Sequence, residues 1–267
     1  MINNIIFSKD RACQLDLFLR SIIHNVRDYK RLTWTIIYLA STPEYEEGYE
    51  KVKKRFPNFS FINEMVKGFR NTTIDYLYTL PYHQFFVDDD CFKEKWDPFD
   101  SKLDLLQTPE ILTISLRMDP KYNYCYTQKR MTPPPSFINN LRWYWEKLDG
   151  DWGYPMSLDG HIFRTDDIVP LIRNLQFKNP NTLEAGLASK YLARPLMSCY
   201  STAKIINLPI NKVQTFNNNH AGLQYKISVE DLNRRYINGE QINLDLIMGA
   251  QGFNAPHYEL PLIFEKK

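Results

Sequence analysis

The stretch Phe85-Phe86-Val87-Asp88-Asp89-Asp90-Cys91-Phe92 sets three adjacent carboxylates directly after an apolar run. Packed like charges repel unless a cation or hydrogen-bond donors compensate them. Hard oxygen ligands of this kind suit a hard divalent ion, Mg²⁺ or Mn²⁺. The bland alternative is a solvated acidic turn. Position argues for the metal, because His83 to Val87 reads as a strand and open α/β sheets bind ligands beyond the carboxyl ends of their strands.

The elements that must position these residues follow from hydrophobic spacing. Ile2 to Ser8 reads as a first strand, and Asp10 is placed to cap the helix whose apolar face is Leu15, Phe18, Leu19, Ile22 and Val26. Thr33 to Ala40 is a β-branched strand, Glu44 to Phe56 a charged surface helix, and Phe59 to Asn63 a third strand, followed by a helix over Phe69 to Leu80. This alternation is the pattern of βαβ units in a mainly parallel sheet flanked by helices. Beyond about residue 120 come aromatic loops, KYNYCYTQ, TPPPS and WYWEKLDGDWGYP, which either wall a substrate cleft or form a core of large side chains. Asp166 to Leu175 and Thr182 to Leu192 read as helices, and Ser228-Val229-Glu230-Asp231 opens another with a capping-box-like arrangement.

Composition excludes several classes. The chain has 267 residues, 43% hydrophobic and 24% charged, which fits one globular α/β domain over 1–267. Its 33 basic and 31 acidic residues give a net charge of +2, too balanced for a nucleic-acid partner or a polybasic anchor. The four cysteines form no C-x-x-C pair, so a reduced, cytoplasmic protein is expected. No stretch approaches the about 20 apolar residues of a spanning helix. Any membrane contact is expected to be peripheral.

The aspartates match the D-x-D motif of GT-A type glycosyltransferases, and IIFSKDRACQLDLFLRSI resembles the first strand and helix of the family-two-like bacterial enzymes. The resemblance covers the first 90 or so residues well and the rest loosely. It implies a Rossmann-like GT-A fold and transfer of a sugar from a UDP- or GDP-linked donor to a hydroxyl of a glycan, lipid-linked or other acceptor, in bacterial or phage glycan synthesis. It also implies a nucleotide-sugar half over 1–120 and an aromatic-rich acceptor half over 121–267.

By the same resemblance Asp88 lies near ribose and metal, Asp90 is the direct metal ligand at the strand's rim, and Asp89 points outward. Ser8, Asp10, Arg11 and Ser41 fall where such enzymes cradle the nucleotide, and Lys67, Arg70 and Asn71 of KGFRN resemble a stretch approaching base and phosphates. Arginine and lysine supply the donors a diphosphate needs; for Arg11 and Lys67 a solvated helix position is the alternative. The catalytic base is either Glu184, in the first turn of a helix, or Asp159, at a turn before a strand on the expected acceptor side. The family's usual paired acidic residues are replaced here by Leu183-Glu184-Ala185. A first-turn acid also stabilises its helix through the dipole. Trp152, with Gly153 beside it, is a candidate sugar platform, and His220, or failing it His257, a third metal ligand. The rivals are a nucleotidyltransferase, disfavoured because the SKDRACQ loop contains no glycine, and a non-catalytic nucleotide- or sugar-binding module.

Overall fold

The computed structural model describes residues 1–190, 193–211, 222 and 224–267. In chain order the elements are β1 (Ile2–Lys9), α1 (Ala12–Asn25), β2 (Thr33–Leu39), α2 (Pro43–Arg55), β3 (Ser60–Asn63), α3 (Phe69–Asp75), β4 (Tyr82–Val87), β5 (Asp90–Phe92) and β6 (Ile111–Ser115). There follow β7 (Tyr124–Cys125), β8 (Arg130–Met131), β9 (Arg142–Tyr144), β10 (His161–Arg164), α4 (Thr165–Asn174), α5 (Pro180–Ala188), β11 (Leu196–Cys199) and β12 (Ile205–Asn207). The chain closes with α6 (Val229–Ile237), β13 (Glu240–Ile242), α7 (Leu244–Gly249) and β14 (Phe264–Lys266).

Eight strands form the central sheet in the order β3-β2-β1-β4-β10-β6-β11-β9. The pairs β1/β2, β1/β4, β2/β3 and β6/β11 are parallel, whereas β10 and β9 run antiparallel to their neighbours. The sheet is therefore mainly parallel and flanked by helices on both faces, as the alternating pattern predicts. In β1, Ile6 faces one layer with Phe18 and Ile22 of α1 and Tyr49 and Val52 of α2. Its neighbours Ile5 and Phe7 face the other, with Phe69 of α3, Ile172 of α4 and Leu187 of α5. A strand buried on both faces needs a continuous apolar run, which is what IIF and FFV supply.

Register sets the site. Phe7 lies opposite both Ile37 and Val87, so the residues that follow β1, β2 and β4 emerge together at one carboxyl edge.

Several boundaries differ from expectation. The third helix stops at Asp75 rather than Leu80: Pro81 disfavours helical backbone at the residue before it, and the chain turns at Tyr76 to Tyr78. α5 starts at Pro180 because Asn179 and Thr182 form a capping box; Leu192, its expected end, lies outside the described residues. Asp10 does not cap α1. It sits in the left-handed region at φ 57°, and Arg11 takes the cap position with no side-chain cap bond. Ser228 does cap α6, accepting from the Asp231 N–H. β10 lies between β4 and β6 in the sheet. Among the described residues no helix is long and apolar enough to cross a membrane.

Candidate active site

The first cluster of the site is built on β1 and β4. Asp88 Oδ2 accepts from the Lys9 N–H at 3.2 Å and Oδ1 from Arg11 Nη1 at 3.0 Å. The same nitrogen reaches Asp89 Oδ2 at 3.1 Å, and Nη2 donates to the Asn211 carbonyl. Burial pushes the Asp88 carboxyl up to about 6 although Arg11 pulls it the other way. Desolvation outweighs the ion pair here.

Asp90 opens β5. Its Oδ2 accepts from the Val87 N–H at 3.1 Å, and Oδ1 from Asn207 Nδ2 at 3.2 Å. That amide also lies 3.1 Å from Asp89 Oδ1. Asp90 is only 1% exposed, not at the rim as the strand-end reading expected, because β5 pairs at once with β12 and covers it. Burial, then the charges of Asp159 and Asp89, hold its carboxyl well above the usual range. The Asp89 side chain is the most exposed of the three, but it is not a free outward residue, since its two oxygens accept from Arg11 and Asn207.

The opposing end comes from later segments. Gly160, at φ 70°, turns the chain into β10, and a Cβ there would lie 2.3 Å from Ile205 Cδ1. Its N–H donates to the Phe85 carbonyl at 2.8 Å, which ties Asp159 to the end of β4. Arg117, two residues past β6, donates through Nη1 to Asp159 at 3.2 Å and through Nη2 to Asp151 at 2.9 Å. His257 Nε2 lies 3.4 Å from Asp159 Oδ2. Despite burial, His257 and Arg117 hold the Asp159 carboxyl below its ordinary value. Glu184 Oε1 accepts from the Leu158 N–H at 3.0 Å. Burial, then the charge of Asp159, push Glu184 up to about 7. It sits in the second turn of α5, not the first, because the capping box moved the helix start back to Pro180.

The structure thus brings Asp88, Asp89, Asp90, Asp159 and Glu184 to one place. Sequence reasoning missed Arg117, Asp151 and Asn207. Arg117 had a usable signal, since it closely follows the apolar strand ILTIS as the aspartates follow FFV.

Other expected residues are engaged elsewhere. Ser8 bonds the Tyr49 hydroxyl at 2.6 Å, and Asp10 accepts from the Ser41 N–H and hydroxyl at 2.7 and 2.9 Å. These contacts shape the loop beside the aspartates. Lys67 pairs with Asp75 on the surface and Asn71 donates to the Lys67 carbonyl. Arg70 donates to the Leu175 and Arg173 carbonyls at 2.8 and 2.7 Å, satisfying groups that the end of α4 leaves open. Trp152 is no platform: it is 2% exposed and packs edge-on to Trp143 at 5.1 Å. Gly153 is pressed against its own loop, where a Cβ would lie 1.9 Å from the Leu148 carbonyl oxygen. His220 lies outside the described residues.

Six carboxylates, Asp88, Asp89, Asp90, Asp151, Asp159 and Glu184, face two guanidinium groups, Arg11 and Arg117. Among the described residues no group of three or more His, Cys, Asp or Glu side chains is arranged to hold a metal ion. The present contacts of Asp88, Asp89 and Asp90 are to protein donors. The donor set nevertheless fits a hard divalent ion, since it is all oxygen, is short of positive charge, and each carboxylate oxygen has a further lone pair.

No protein-family model matches the chain. It is 26% identical over 281 residues to the bifunctional glycosyltransferase pgtA of Dictyostelium discoideum, a match that covers 91% of this chain and 36% of that protein. The chain therefore spans about a third of the length of this relative. Among solved structures, S. aureus TarS 1-349 in complex with UDP matches at 13% identity and TM-score 0.46, over 75% of this chain and 58% of that one. The mannosyltransferase PcManGT from Pyrobaculum calidifontis, in complex with GDP-Man and Mn²⁺, matches at 12% identity and TM-score 0.39, over 74% and 54%. The chain is thus a sequence relative of a glycosyltransferase, and it carries the mainly parallel, helix-flanked α/β sheet that its D-x-D resemblance implies.

Proposed function

We propose that this chain is a glycosyltransferase that moves a sugar from a nucleoside-diphosphate donor to a hydroxyl acceptor. One observation carries the reading: the acidic cluster after β4 and a second carboxylate pair, Asp159 and Glu184, meet at one carboxyl edge of the sheet, within electrostatic reach of each other. A donor diphosphate belongs at the first group and an acceptor hydroxyl at the second. Residues 1–120 then supply most of the donor site and 121–267 the acceptor site.

Asp88 and Asp90 are the residues that would hold Mg²⁺ or Mn²⁺, whose chemistry is to neutralise the leaving diphosphate. Arg11 fixes Asp88 and Asp89 in place. Glu184, raised to about 7, is matched to taking a proton from the acceptor hydroxyl near neutral pH. Asp159 is held ionised by Arg117 and His257 beside it, so the two carboxylates divide the work, one as anion and one as proton acceptor. UDP- and GDP-linked sugars are the donors to try first.

The test is release of nucleoside diphosphate from a panel of nucleotide-sugars with Mn²⁺, on the wild-type chain and Asp90→Asn. At least one donor should be consumed, EDTA should stop it, and Asp90→Asn should lose about 10²–10³-fold while still folding. Nucleotide binding without turnover of any donor would make the chain a binding module instead.

A further inference from the structure

Besides the Gly160–Phe85 bond, one contact between distant segments joins the two carboxylate groups of the site. Asn207, at the end of β12, forms an isolated bridge with His257. The Asn207 N–H donates to the Pro256 carbonyl at 2.9 Å, and the Tyr258 N–H donates to the Asn207 carbonyl at 3.0 Å. The backbones of the two residues are therefore locked side by side. Their side chains then diverge. Asn207 Nδ2 reaches Asp89 at 3.1 Å and Asp90 at 3.2 Å, at the donor end. His257 Nε2 lies 3.4 Å from Asp159 at the acceptor end, and Nδ1, 3.9 Å from Asp151, is buried with no hydrogen-bond partner among the described residues. An imidazole whose Nδ1 has no donor to accept from and whose Nε2 faces a carboxylate presents its Nε2–H.

We propose that Asn207 and His257 act as one positioning clamp that sets the spacing between the donor-side carboxylates Asp89 and Asp90 and the acceptor-side carboxylate Asp159.

The clamp is anchored from outside the site. The Asn123 and Tyr124 N–H groups both donate to the Asn254 carbonyl, at 3.0 and 3.1 Å, and the Tyr126 ring stacks on His257 with centroids 6.1 Å apart. The segment 254–258 is thus strapped across β7 and β12 together. Neither clamp residue needs to touch a reacting atom. Their effect is on geometry, and a misplacement of about 1 Å can cost on the order of 10²-fold in rate. The proposal rests on the glycosyltransferase reading for its consequence in turnover, but not for the coupling between the two side chains.

The test uses the full chain with His257→Ala, His257→Gln and two readouts. The first is independent of any reaction: hydrogen exchange of the Asn207 side-chain amide by NMR. His257→Ala removes the imidazole's contacts with Asp159 and the Tyr126 ring that hold segment 254–258 in place, so it should speed that exchange at least about 10-fold, whereas exchange equal to wild type overturns the clamp whatever the chain catalyses. The second is turnover of a donor found active in the panel, set against calorimetric binding of UDP or GDP with Mn²⁺. His257→Ala should bind nucleotide within about 3-fold of wild type and turn over at least about 10-fold more slowly. His257→Gln, whose amide offers a donor in place of Nε2–H, should recover most of the rate. Equal rates for His257→Ala and wild type, or no recovery in His257→Gln, overturn the positioning role. If the wild type consumes no donor, the glycosyltransferase reading fails, and the exchange measurement alone decides the clamp.

Discussion

Arg11 Nη1 lies 3.0 Å from Asp88 Oδ1, with both side chains buried at the carboxyl edge of the sheet. The pairing changes what Arg11 is for. A guanidinium committed to Asp88, Asp89 and the Asn211 carbonyl holds the acidic cluster together rather than waiting for a phosphate.

Arg11→Ala should therefore destabilise the fold, because it strands Asp88 as a buried charge. Breaking such a pair costs about 3–5 kcal/mol, and the low end is expected since Asp88 can take up a proton instead. Arg11→Met combined with Asp88→Asn should restore most of the loss. Denaturant unfolding of the three variants measures this, and wild-type stability in Arg11→Ala would return Arg11 to a ligand-binding role.

Stability without added metal should fall as pH rises. The folded-state values of Asp88, about 6, and Glu184, about 7, lie above those of an unfolded chain, so between pH about 4 and 7 the native state binds more protons than the unfolded one. The sign is opposite to that of an ordinary salt-bridged carboxylate. Melting temperatures in EDTA should be higher near pH 5 than near pH 8, and Asp88→Asn with Glu184→Gln should reduce the difference, the remainder coming from Asp90, whose carboxyl is also held above the usual range. A rise in melting temperature over that range contradicts the assignment.

Turnover should depend on pH in the other direction. A base works ionised, so the rate of acceptor-dependent transfer should climb as pH passes about 7, the value to which Glu184 is pushed. Glu184→Gln should lower transfer by about 10²–10⁴-fold and remove that limb while leaving donor binding intact. If Asp159→Asn removes the limb and Glu184→Gln does not, the base is Asp159.

Trp152→Ala should behave as a core deletion. Its ring packs against Trp143 at 5.1 Å and Phe137 at 5.7 Å, and its carbonyl accepts from the Trp143 Nε1–H. Loss of about 3–5 kcal/mol is expected. Thermal unfolding against acceptor affinity tells the cases apart: a stable Trp152→Ala protein with weakened acceptor binding would revive the sugar platform.

The N-terminal half was legible in the sequence because β1, β2 and β4 carry the apolar runs IIF, TIIYL and FFV and α1 has a one-sided apolar face. Local chemistry suffices for that, and the D-D-D triplet after FFV could be placed at the sheet's carboxyl edge without coordinates. Asp159 and Glu184 were also visible as candidates, since acids beside a turn and a helix start are local features.

What only the tertiary structure decided is which side chains spend their charge on the protein itself. Arg70 was a plausible phosphate ligand until α4 brought two open carbonyls to it, and Trp152 a plausible platform until Trp143 covered it. His257 stands 98 residues from Asp159 in sequence, and nothing in NAPHYEL announces the pairing. The insertion of β10 between β4 and β6 is likewise a long-range pairing. Such contacts are set by how packed layers close over one another, and burial, which raises Asp90 and Glu184, exists only once they have closed.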